Sequence, residues 1–269
     1  MYVKVHEQNY WVDIIGEGEP VLLLHGFTGS HSTWDELVST HQGEMQWIRI
    51  DLPGHGKTEV TEDFTMESVC KDISELLAQL SLSSAHVIGY SMGGRTALSF
   101  AMAYPEMVRS LTLESASPGL HSTQDQLARQ TKDEGLAQSL EQEGMEAFVD
   151  KWEDLPLFES QKGLSEDIQN RIRRERLSQT PKGLAASLRG MGTGVQPSWW
   201  DRLSTFTKPV LLVTGEWDEK FTSIAKQMED QFLNASHESI PQTGHAIHVE
   251  QAQTFAKIVY DFIVSSETE

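Results

Sequence analysis

Short apolar runs alternate along this chain with longer stretches whose apolar residues recur every three to four positions. Runs at 10–15, 21–25, 45–51, 85–90, 110–114, 209–215 and 236–240 read as strands, and those at 21–25 and 209–215 are the richest in Val and Leu. Stretches at 66–80, 93–104, 221–232 and 250–264 carry the helical period. Several of the runs are continuously apolar, as in VLLL and VLLV, so those strands are expected to be covered on both faces. Strand and helix in alternation predict an α/β fold with a mostly parallel central sheet flanked by helices.

The alternation breaks once. Between the strand ending near Glu114 and the one beginning at Pro209, the chain reads almost wholly as charged helix, at 124–144, 145–152, 164–179 and 183–190. An insertion there in a doubly wound sheet is expected to lie over the carboxyl ends of the strands, where such folds bind ligands. The predicted division is a core of residues 1–117 and 206–269 with a helical lid over 118–205.

Bulk composition narrows the setting. A length of 269 residues, 38% hydrophobic and 23% charged, suits a globular domain with an insertion. No apolar run is long enough to cross a bilayer, and the first residues lack the apolar core of a signal peptide, so no membrane insertion is expected. Cys70 is the only cysteine, which rules out an intramolecular disulfide, and it sits in a helical pattern as a structural thiol. A cytoplasmic protein is expected. The net charge of −19 argues against nucleic acid and anionic membrane surfaces, and an anionic ligand would need a local cluster of positive side chains.

Candidate chemistry centres on Gly89-Tyr90-Ser91-Met92-Gly93, which follows the strand run AHVIG and opens a helical stretch. That context is the one a nucleophile elbow requires, a turn too tight for side chains beside the serine. Serine is a weak nucleophile, so it needs an imidazole steadied by a carboxylate. In chain order these are Asp218, in the loop after a strand, and His245, after the last strand and before the final helix. Glu216 is the rival acid. The oxyanion hole is expected from the backbone N–H groups of Met92 and Phe27, the latter in the loop His25-Gly26-Phe27-Thr28-Gly29. No metal-ligand motif such as H-E-x-x-H occurs, and neither metal nor cofactor is expected.

The segments VLLLHGF, DLPGHG, GYSMGG, PVLLVTGEWD and TGHAIHVEQ together resemble the α/β-hydrolase superfamily over residues 20 to 260 or so. Further features go beyond it: Arg95 soon after the elbow, seven of the ten arginines in the predicted lid, and the segments Glu216-x-Asp218-x-Lys220-Phe221, Trp152-x-x-x-Pro156-x-Phe158 and Gly192-Thr193-Gly194-x-Gln196-Pro197. With these the chain resembles the menaquinone-pathway synthases. That family eliminates pyruvate from 2-succinyl-5-enolpyruvyl-6-hydroxy-3-cyclohexene-1-carboxylate to give 2-succinyl-6-hydroxy-2,4-cyclohexadiene-1-carboxylate.

The resemblance implies a small tricarboxylate substrate and no cofactor, with Ser91, His245 and Asp218 acting as a general base. It implies Arg95, Arg129 and one arginine of the Arg173-Arg174-Glu175-Arg176 cluster as anchors, Arg176 being favoured, with Tyr90 and Trp152 flanking the ligand. Arginine's planar fork suits this task. A monomer or small homo-oligomer is expected. The competing readings are a carbon–carbon bond hydrolase or carboxylesterase using the same triad, and a non-catalytic receptor on the same fold.

Overall fold

The computed structural model describes residues 1–41, 43, 45–60 and 63–267. Residues 42, 44, 61, 62, 268 and 269, which the predicted core ranges include, lie outside the described residues. The elements in chain order are β1 (Tyr2–Val5), β2 (Gln8–Ile15), β3 (Glu19–Leu24), α1 (Asp35–Thr40), β4 (Met45–Ile50), α2 (Met66–Gln79), β5 (Ala85–Tyr90), α3 (Met92–Ala103) and β6 (Val108–Glu114). There follow α4 (Thr123–Glu153), α5 (Glu166–Leu177), α6 (Pro181–Met191), β7 (Val210–Gly215), α7 (Glu219–Glu229), β8 (Ala235–Ile240), α8 (Ile247–Glu250) and α9 (Ala252–Ser266).

The strands form one sheet in the order β1-β2-β4-β3-β5-β6-β7-β8. Pairs β1–β2 and β2–β4 are antiparallel and the others parallel. Period-two alternation sends Leu22 and Leu24 of β3 to one face, where they pack with α2, α3 and α7, and Val21 and Leu23 to the other, beneath α1 and α9. This two-sided burial is why the central strands read as continuous apolar runs.

All seven predicted strands are present. β1 was not predicted, because its four residues, YVKV, alternate exposed and buried at the sheet edge and give a weak signal.

Between β6 and β7, one 3₁₀ turn joins α4 to α5 and another follows α6, with no strand among the described residues. They have a core of their own, in which Ala137, Leu140, Phe148 and Val149 of α4 meet Leu184, Ala185 and Leu188 of α6. The two helical stretches expected at 124–144 and 145–152 are halves of α4, which kinks at Gly144 (φ +81°), a left-handed conformation that glycine adopts without steric cost. The insertion is fastened to the sheet layer by Glu175 of α5. Its Oε1 accepts the Ser30 N–H (3.0 Å) and hydroxyl hydrogens from Ser30, Ser32 and Thr33 (2.9–3.0 Å).

Candidate active site

Ser91 stands between the end of β5 and the start of α3, with φ +51° and ψ −106°. A β-carbon at Gly89 would lie 2.3 Å from the Gly93 carbonyl oxygen, and one at Gly93 would lie 2.0 Å from that of Leu24. Only glycines let the strand turn into the helix at this pitch. The Ser91 N–H donates to the Glu114 carbonyl (2.8 Å), which fixes the elbow to the end of β6. A non-glycine residue at positive φ stores strain, and here that strain lifts the hydroxyl clear of the sheet.

His245 and Asp218 reach the same point from the β8–α8 and β7–α7 connections. His245 Nδ1 lies 2.6 Å from Asp218 Oδ2, and His245 Nε2 lies 3.1 Å from Ser91 Oγ. A carboxylate only accepts, so Nδ1–H donates to Asp218 and Nε2 is left to receive the serine proton. Asp218 and His245 are both buried, whereas the rival Glu216 is exposed and accepts the Gln242 N–H (2.9 Å). Phe221 and Phe158 close on the imidazole, with ring centroids at 4.7 and 6.3 Å.

Met92 is the first residue of α3, so its N–H has no carbonyl one turn back to bond, and it sits at the positive end of the helix dipole. Phe27 follows β3 in a loop held by His25. The Leu52 N–H donates to His25 Nε2 (3.0 Å), so Nδ1 carries the proton and donates to the Gly26 carbonyl (2.8 Å). Burial lowers the His25 pKa and keeps that neutral form. The Phe27 ring packs against Trp152 (5.4 Å) and Phe148 (6.3 Å), which places Trp152 of α4 over the Phe27 loop.

Tyr90, the last residue of β5, lies beside His245 (5.4 Å between rings) and His248 (4.5 Å), and burial raises its pKa. His248 is anchored by Glu114, a wholly buried carboxylate that accepts from both its backbone N–H (3.0 Å) and Nδ1 (2.8 Å).

Arg95 occupies the first turn of α3. Its Nη1 donates to the Met191 carbonyl (2.7 Å) and to Gln196 Oε1 (3.0 Å). Burial first, and then the charge of Arg129, lower its pKa to about 10, with Asp133 acting in the opposite sense. Arg129 Nε in turn donates to Asp133 Oδ1 (2.7 Å). Arg129 thus has a buried carboxylate partner, whereas the acceptors of Arg95 are a backbone carbonyl and an amide oxygen.

Arg176 is also buried. It donates to Glu153 Oε1 (3.2 Å) and Gln161 Oε1 (2.9 Å), and its guanidinium lies 4.7 Å over the Phe158 ring. Arg173 bridges Asp150 and Glu153 (2.6 Å each). A cavity of about 320 Å³ opens between α5 and the Phe27 loop, lined among others by Phe27, Tyr90, Phe158, Arg174, Arg176 and His248.

Sequence reasoning missed the groups that hold these side chains. Asp133, four residues after Arg129 on one helix face, carried a readable signal. Glu114, Gln161 and Phe158 as a neighbour of His245 carried none. No group of three or more potential metal ligands occurs among the described residues.

The sequence profile of the alpha/beta hydrolase fold matches residues 19–252. The chain belongs to the α/β-hydrolase fold family. Within that fold it is 45% identical over 253 residues to a putative 2-succinyl-6-hydroxy-2,4-cyclohexadiene-1-carboxylate synthase of Bacillus subtilis (strain 168), covering 92% of this chain and 91% of that one. It is 28% identical to the 2-succinyl-6-hydroxy-2,4-cyclohexadiene-1-carboxylate synthase of Enterobacter sp. (strain 638), over 88% of each. Among solved structures, MenH from S. aureus shares the hydrolase fold with a TM-score of 0.91 at 36% identity, covering 96% of this chain and 98% of its own.

Proposed function

We propose that this α/β-hydrolase is a lyase. It eliminates pyruvate from 2-succinyl-5-enolpyruvyl-6-hydroxy-3-cyclohexene-1-carboxylate to give 2-succinyl-6-hydroxy-2,4-cyclohexadiene-1-carboxylate, in menaquinone biosynthesis. The likeness to the synthases of B. subtilis and Enterobacter supports the reading. The observation that carries it is the Arg95 guanidinium one turn beyond Ser91, which donates to the Met191 carbonyl and to Gln196 Oε1 rather than to a carboxylate. A neutral ester gives no reason to hold a guanidinium on neutral acceptors there, whereas a tricarboxylate does.

In this reading Ser91 passes its hydroxyl proton to His245 Nε2, and Asp218 holds the ring and balances the imidazolium. The serine oxygen then takes the ring proton made acidic by the adjacent succinyl ketone. The Phe27 and Met92 N–H groups stabilise the enolate oxygen as it gains charge. The C3=C4 double bond shifts as C2=C3 and C4=C5 form, the C5–O bond breaks, and the departing enolpyruvate is protonated to pyruvate by the His245 imidazolium. Arg95, Arg129 and Arg176 hold the carboxylates, with Tyr90 and Trp152 against the ring. Residues 118–205 act as a lid over the core formed by 1–117 and 206–269. No helix among the described residues is long and apolar enough to cross a membrane. We place the enzyme in the cytoplasm, as a monomer or small homo-oligomer acting on a small molecule.

The test is pyruvate release from the enolpyruvyl substrate, coupled to lactate dehydrogenase, with p-nitrophenyl acetate hydrolysis in parallel. Fast pyruvate release with slow ester hydrolysis, both lost in Ser91→Ala, supports the lyase. Brisk ester hydrolysis without accelerated pyruvate loss removes that assignment.

A further inference from the structure

His245 lies in a short turn that one carboxylate ties at both ends. Glu250 Oε2 accepts the N–H of Gly244, the residue before His245, at 2.8 Å. Its Oε1 faces the N–H of Ala246, the residue after, at 3.5 Å, and accepts the Ser160 hydroxyl at 2.9 Å. The Glu250 N–H closes the turn on the Ala246 carbonyl (2.9 Å). Ser160 belongs to the 3₁₀ turn Pro156–Gly163, which sits between α4 and α5 and makes no part of the sheet. That same turn carries Phe158, whose ring meets His245 on one side and the Arg176 guanidinium on the other. The approach is close enough that a β-carbon at Gly244 would lie 2.1 Å from Ser160 Oγ.

We propose that Glu250 is a positioning residue for His245, setting the height of the imidazole over Ser91 and steadied from the insertion by Ser160. The inference rests on the assignment of His245 as the base of the proposed reaction. Its physical basis is donor counting. Gly244 N–H, Ala246 N–H and Ser160 O–H all point at one side chain, and only a carboxylate accepts on both of its oxygens. A glutamine at 250 would turn an NH₂ toward one of these donors and release one end of the turn. Glu250 touches neither Ser91 Oγ nor the imidazole in this structure, so it acts through the backbone of residues 244–246. The 3.1 Å separation of His245 Nε2 from Ser91 Oγ is the quantity it controls.

The experiment compares Glu250→Gln, Ser160→Ala and Ser160→Thr in the full chain, reading kcat and KM for pyruvate release. The proton resonance of the His245 Nδ1–H, expected far downfield because of its short bond to Asp218, is followed in parallel. Glu250→Gln is expected to lower kcat by about 10- to 100-fold, the cost of a misplaced reacting group, with KM nearly unchanged and the downfield resonance broadened. Ser160→Ala is expected to give a smaller fall of the same kind, which Ser160→Thr restores by returning the hydroxyl. If Glu250→Gln fails to fold, the Ser160 pair decides the matter alone. Parent kcat and parent resonance in both Glu250→Gln and Ser160→Ala, with only a lower melting temperature, would overturn the role. Undiminished pyruvate release in Ser91→Ala would instead remove the reaction assignment itself, so the two failures are distinguishable.

Discussion

Asp218 Oδ2 stands 2.6 Å from His245 Nδ1, while Asp218 Oδ1 accepts the Phe221 N–H (3.3 Å) and caps α7. The two jobs separate by substitution. Asparagine keeps an oxygen for the cap but loses the charge that steadies the imidazolium. Asp218→Asn is therefore expected to lose roughly 10³–10⁴-fold in kcat with a melting temperature near that of the parent. Asp218→Ala should lose as much activity and about 1 kcal/mol of stability besides. Kinetics and thermal melts on the two variants check this.

The Arg95–Arg129 pair predicts selectivity. Arg95→Ala is expected to reduce kcat/KM for the tricarboxylate at least tenfold more than for p-nitrophenyl acetate, a difference of about 1.4 kcal/mol or more in charge-assisted bonding. Equal losses on both substrates would remove the anchoring role. Arg95→Lys should recover only part of the loss, because Nη1 now spans Met191 and Gln196 in a planar fork that an ammonium does not reproduce.

Acid stability follows from buried histidines. Burial, followed by the charge of His25, lowers the His55 pKa to about 3, and His25 is lowered by burial too. Each unfolded histidine takes up a proton near pH 6.5 that the folded chain refuses. The stabilisation is therefore full above about pH 6.5 and is lost as pH falls toward 3. His55 contributes a slope of about 1.4 kcal/mol per pH unit in that window, and His25 acts in the same direction below pH 6.5. Denaturant melts at pH 7, 6 and 5 should show the fall, and His55→Asn should flatten it by about one proton.

The elbow predicts a packing failure. Gly93→Ala drives a methyl into the Leu24 carbonyl and should cost about 1–3 kcal/mol as well as activity. Gly144→Ala meets nothing within 4 Å, so its cost is the backbone strain alone, about 1–3 kcal/mol for a region (φ +81°, ψ −178°) essentially reserved to glycine, with kcat near parent. Denaturation midpoints and turnover of the two variants separate clash from strain.

What the sequence made legible follows from how local each signal is. β5 was read to the residue, because its six positions are all buried and a glycine-flanked serine ends it. Ser91, Asp218 and His245 were each read from a strand end with a turn behind it. The groups that steady them were not. Glu175 reaches Ser30 across 145 residues and Glu114 reaches His248 across 134, and no periodicity encodes such pairs. Arg176 illustrates the same limit, since three neighbouring arginines look alike in sequence. Only the packing of α5 against Glu153, Gln161 and Phe158 turns that one inward.

The chain leaves the sheet after β6 and returns to it in β7, and these two strands lie side by side, with Glu114 opposite Val213. The whole excursion through α4, α5 and α6 therefore begins and ends at one seam. A segment grafted at a single seam can be lengthened, rotated or exchanged without altering the register of any strand beneath it. Arg129 and Arg176 hang from that excursion, whereas Ser91 and Arg95 belong to the layer beneath it, so the first two can be rewritten while the elbow and its neighbouring guanidinium stay as they are.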